Sequence, residues 1–171
     1  MALKADRNEL DVDISFFMNE TAEKGMVVCL STVGSGAAMD QSLALVAKKD
    51  AHATTTFPVG ILLNDVVDID LTRQHINWHK DEVQKGGKVA ILKKGYVVTD
   101  QIAGTPTIGE LAYVDDAGAN GLIATDAAAG AADGDRNVIG RFMSTLDEDG
   151  YAKVEVNLPV PMAPTAGGVQ V

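Results

Sequence analysis

Apolar residues in this chain fall in short runs of about four to six, cut by glycine, asparagine and acidic pairs. Where the pattern is clearest its period is two. Ala152–Asn157 (AKVEVN) places Ala152, Val154 and Val156 on one face and Lys153, Glu155 and Asn157 on the other. Val66–Leu71 (VVDIDL) alternates in the same way. Further runs read as strands: Ile14–Met18, Met26–Leu30, Val59–Leu63, Glu110–Val114, Leu122–Thr125 and Val138–Thr145. Leu43–Lys48 has a composition that also suits a helix, but its length and surroundings favour a strand. Asn64-Asp65 and Asp147–Gly150 are expected turns, with Asp149-Gly150 a favoured pair for positive φ.

The stretch Gln84–Asp100 (QKGGKVAILKKGYVVTD) stands at the centre of this pattern. Val89–Leu92 and Tyr96–Thr99 flank Lys93-Lys94-Gly95, which predicts strand, tight turn, strand. Val89 and Ile91 share one face, Ala90 and Leu92 the other, and both are apolar. Such a strand is buried on both sides or meets a partner with its outer face.

Met1–Asp13 is acidic and reads as an extended arm, and residues 158–171 carry Pro159, Pro161 and Pro164, which exclude a central strand. These ends either lie across a neighbouring molecule or fray. Thr72–Val83 (TRQHINWHKDEV) fits a short helix with His75 and His79 on one face, and equally a strand. The expected architecture is therefore all-β. A small barrel or sandwich of about ten short strands spans residues 14–157, with little helix, an N-terminal arm at 1–13 and a Pro/Gly-rich tail at 158–171.

The 171 residues suffice for one domain with a sizeable core. Charge narrows the partners. With 14 Lys+Arg against 24 Asp+Glu the formal net charge is −10, which repels nucleic-acid phosphates and anionic membranes alike. No apolar run approaches the ~20 residues of a membrane-spanning helix. The first residues are too charged for a secretion signal, so a soluble protein made in a reducing cytoplasm is expected. Cys29, the only cysteine, lies in an apolar run and is expected to be a buried thiol.

Candidate chemistry is thin. His75-x3-His79 has metal-ligand spacing, but Ile76 stands where a zinc protease helix carries glutamate. Asp133-Gly134-Asp135 and Asp147–Asp149 resemble calcium loops without the full ligand ladder, and acidic turns explain them. Gly34-Ser35-Gly36 lacks the phosphate-loop lysine, and Ser31, Ser35 and Ser42 lack a nucleophile elbow. No catalytic set, cofactor or metal site is expected. Trp78, flanked by His75 and His79, suits a core or subunit contact, and Leu10 and Val12 are apolar residues of the arm.

Pro58–Asp100, followed by Gly109–Asp115 (GELAYVD), a Gly/Ala-rich loop, Asn137–Phe142 (NVIGRF) and a last alternating strand, resembles the decoration (cement) proteins of tailed-bacteriophage capsids. The resemblance covers Pro58 to Asn157. It implies a β-rich virion protein on the outer surface of an icosahedral head, bridging major capsid protein subunits. It implies no enzyme activity and no cofactor, and self-association as a trimer or dimer about a local axis. Contacts to capsid or subunits are expected at Leu10, Val12, His75, Trp78 and His79. The rival expectations are a tail or fibre module and a metal-binding enzyme using His75 and His79.

Overall fold

A computed structural model describes residues 3–4, 6–30, 46–49, 58–65, 69–70, 75–76, 82–83, 85, 87–115, 121–125 and 138–158. Fourteen strands carry this structure, with no helix among the described residues. They are β1 (Asn8–Met18), β2 (Ala22–Glu23), β3 (Val27–Leu30), β4 (Val46–Lys49), β5 (Pro58–Asp65), β6 (Ile69–Asp70) and β7 (His75–Ile76). Then follow β8 (Glu82–Val83), β9 (Lys88–Thr99), β10 (Ile102–Ala103), β11 (Leu111–Val114), β12 (Ile123–Ala124), β13 (Val138–Phe142) and β14 (Ala152–Asn157). The all-β expectation holds, and the sheet curls into a half-barrel.

The long strand β9 is the spine, and it corrects the expected hairpin. Lys93-Lys94-Gly95 does not turn the chain; β9 runs through it for 12 residues. On one edge β9 pairs with β1, from Asn8↔Tyr96 to Phe17↔Lys88. On the other edge it pairs first with β5 (Ile61↔Leu92 to Asp65↔Val89) and then with β14 (Asn157↔Lys94 to Ala152↔Thr99). The glycine serves close approach instead. Gly95 has φ +143, and a Cβ there would lie 2.0 Å from the Asn8 carbonyl oxygen. Backbone passes so near backbone that only a residue without a side chain fits.

Pairing also closes on itself. β1 pairs with β4, β4 with β3, β3 with β5, β5 with β9, and β9 with β1. From β9 the sheet continues through β14, β13, β11, β12 and β10. A strand set with few free edges is protected against edge-to-edge aggregation. Asn64 and Asp65, expected as a turn, extend β5 and pair with Ala90 and Val89 across a register shift.

Two apolar clusters sit on opposite faces of the shared strands. Val27, Ile61, Leu63, Ala90 and Leu92 pack with Ile123, Ile139, Phe142, Val154 and Val156 of the second half. Val28, Leu62, Val89 and Ile91 pack with Phe16 and Met18, and with Ala22 and Val83 of the β2–β8 ladder. Residues 27–29, 61–63 and 89–92 thus bury both faces, and they are the unbroken apolar runs within β3, β5 and β9. Cys29 is fully buried, as expected. In β14, Ala152, Val154 and Val156 are buried in strict alternation. The acidic turn before it is built by Asp147, whose Oδ1 accepts hydrogen bonds from the Asp149 and Tyr151 amides, with Gly150 at φ +85.

Two boundaries move. The first strand begins at Asn8, not Ile14, so residues 8–13 are paired backbone and not a free arm. Leu3, ahead of it, is buried and bridges Thr99. At the other end Leu158 is buried and its amide donates to the Lys93 carbonyl, while residues 159–171 lie outside the described residues.

Candidate contact surface

The residues of interest divide by the strands that carry them. In β1, Glu9, Asp11 and Asp13 alternate with Leu10, Val12 and Ile14. Unbroken pleating puts Leu10, Val12 and Ile14 on one face. The structure separates them. Register shifts between Glu9 and Asp11, and between Asp13 and Phe16, leave Leu10 and Ile14 at irregular positions of the ladder. Val12 packs against the larger core cluster, whereas Leu10 is 72% and Ile14 52% exposed. Bulges of this kind re-aim side chains, and here they turn two large apolar groups to solvent.

The strand that displays them is held firmly. Asp13 Oδ2 accepts from Lys93 Nζ at 2.6 Å, and its Oδ1 accepts from the Ser15 amide at 2.8 Å and from the Ser15 hydroxyl. Partial burial pushes the Asp13 carboxyl up, but the hydrogen bonds from Lys93 and Ser15 together outweigh it and hold the group below its ordinary range. Nearer the N-terminus Lys4 Nζ lies 2.8 Å from Asp147 Oδ2 and 4.1 Å from the centre of the Tyr151 ring. The hydrogen bond from Lys4 is the main cause that lowers the Asp147 carboxyl, with amide hydrogen bonds adding to it. Both Asp147 oxygens are therefore engaged within the fold.

Of the expected contact residues, Leu10 is exposed and Val12 is half-buried in the core margin. His75 lies on β7, its backbone opposite Asp70 of β6. Trp78 and His79 lie outside the described residues, as do Gly34-Ser35-Gly36 and Asp133-Gly134-Asp135. Among the described residues no group of three or more His, Cys, Asp or Glu is placed to hold a metal ion. Sequence reasoning missed Ile14, Ile108, Leu111 and Met143, which are 52%, 73%, 39% and 42% exposed. An isoleucine between Pro106 and Gly109, in a segment otherwise typical of a turn, was the available signal.

A β body with two buried faces and large apolar groups on its surface is compatible with a structural part of a larger assembly. The comparison with known families agrees. The model of the XM1 gp53 minor capsid protein matches residues 4–158, and the chain belongs to that family. It is a phage capsid-associated protein and a structural component of the virion. The match extends the resemblance seen from Pro58 to Asn157 across the N-terminal third, β1 included. A search of curated proteins finds no match.

Proposed function

We propose that this chain decorates the outer surface of the phage head and bridges neighbouring major capsid protein subunits. The observation that carries the reading is Leu10, 72% exposed on a strand that is paired with the spine of the fold. Ile14 adds a second exposed apolar group on the same strand. An apolar side chain held out by rigid backbone loses little entropy on docking. Net charge supports the outer face, because a −10 protein is repelled by packaged DNA. Many weak copies on one shell give retention through effective concentration, so no chemical step is needed and no enzyme activity is part of the role. His75, Trp78 and His79 belong to the same proposed contacts, and a dimer or trimer about a local axis completes it.

Deleting residues 1–13 is a poor test, because it removes Leu3 and Val12 from the core and half of β1 from its ladder. The better experiment mixes purified full-length chain with expanded, undecorated heads and images them. Wild-type protein is expected as regular density outside the shell at subunit junctions. Leu10→Asp is expected to stay folded and to bind weakly. Density confined to a portal or tail, or none at all, defeats the proposal. Sedimentation of free protein tests the oligomer.

A further inference from the structure

A second exposed apolar group lies four steps of the sheet away from β1, along the order β1, β9, β14, β13, β11. Leu111 opens β11 opposite Arg141 of β13. Met143 follows Phe142, its amide donating to the Lys153 carbonyl, and alternation places it on the same outer face as Arg141. Ile108 sits on the turn that leads into β11. Its tip is tied down: the Thr107 amide and hydroxyl both donate to Glu110 Oε2, the Gly109 amide donates to the Phe142 carbonyl, and Arg141 Nη1 donates to the Gly109 carbonyl. Ile108 is 73% exposed at this fixed tip. The turn is built from its neighbours' hydrogen bonds, and nothing in its geometry requires an isoleucine.

We propose that Ile108, Leu111 and Met143, with Arg141 among them, form a second docking surface. Its occupant is another capsid protein that offers an apolar site rimmed by lysine or arginine. The inference rests on the decoration reading and deepens it, since one contact holds a protein down while two separated contacts let it bridge. Charge decides the occupant. Glu148 and Asp149 stand exposed on the same β13–β14 connection that Met143 opens, and the whole chain carries −10, so a second copy meets net like charge and a basic rim meets complement. Apolar and arginine side chains in one cluster have the composition of an interface centre.

The test uses full-length protein and expanded, undecorated heads in a pelleting titration at several salt concentrations. Ile108→Asp and Met143→Asp are expected to weaken binding about thirtyfold each while the melting temperature holds. Glu148→Lys is expected to weaken binding and to flatten its dependence on salt. Wild-type binding by all three variants overturns the inference while the decoration reading stands on Leu10→Asp. A large fall in melting temperature overturns it too, because the patch then packs within its own chain. Loss of a self-associated form in sedimentation makes the occupant a second copy and overturns it as well. Wild-type protein that fails to bind heads defeats both readings.

Discussion

Three glycines separate two physical effects that a single substitution confounds. Gly150 has φ +85 with nothing within 4 Å of an added Cβ. Alanine there meets only the left-handed backbone penalty, about 1 kcal/mol. Gly140 has an added Cβ 1.8 Å from the Glu155 carbonyl oxygen and no positive φ, so alanine there meets only the clash. Gly95 carries both, with φ +143 and 2.0 Å to the Asn8 carbonyl oxygen. Relief requires backbone to part from backbone, because the nearest atoms belong to Asn8 and Leu10 main chain. Overpacking costs about 1–3 kcal/mol and the strained φ about 1–2 more, so Gly95→Ala is expected to lose about 2–5 kcal/mol. That is a large part of the ~5–15 kcal/mol that holds a domain of this kind folded. At ~2–4 °C per kcal/mol for a chain of this length, the melting temperature should fall by about 10 °C. Urea unfolding followed by far-ultraviolet circular dichroism measures it. The expected order of loss is Gly95→Ala, then Gly140→Ala, then Gly150→Ala. A Gly95→Ala protein no less stable than Gly150→Ala would refute the close approach of β1 and β9, and with it the reading of β9 as an unbroken spine.

Other outcomes follow from the same structure. Ile91→Ala and Leu92→Ala, neighbours on opposite faces of β9, should each cost about 2–5 kcal/mol in urea unfolding, since both side chains are fully buried; a strand with one solvated face would show one of the two near zero. Asp13 has a carboxyl held below its ordinary range, so its contribution is present above the unfolded-state pKa and is lost as pH falls through the lower folded value. Wild type should therefore exceed Asp13→Asn in stability at neutral pH by no more than about 1 kcal/mol, given the partial exposure of the pair, and the gap should close on acidification; a gap that grows in acid refutes the assignment. Cys29 is fully buried, so its thiol should react with a disulfide reagent only after denaturant is added; rapid labelling of the native protein contradicts its place in the sheet.

The pattern of exposed apolar residues was only half legible. Leu10 was open to sequence reasoning as an apolar residue in an acidic segment, and the structure leaves it exposed. Val12 looked equivalent, and the three register shifts with β9 gave it the opposite fate. Ile108, Leu111 and Met143 come from separate strands and a turn, so their neighbourhood exists only once β11 and β13 pair.

By itself the sequence determined the class of fold. Runs too short for helices, a period of two, and glycine or acidic turns between them admit strands and little else, and β14 shows this residue by residue. It also showed that Val89 to Leu92 offer water no polar face, and the structure decided between burial on both sides and a partner on the outer face by burying all four. Tertiary structure alone decided what Lys93-Lys94-Gly95 does. A glycine that ends a strand and a glycine that lets another strand come close have the same local signature; the difference is the Asn8 carbonyl, far away in sequence. For the same reason Asn8 to Asp13 reads as a loose arm until β9 supplies the hydrogen bonds that an isolated strand lacks.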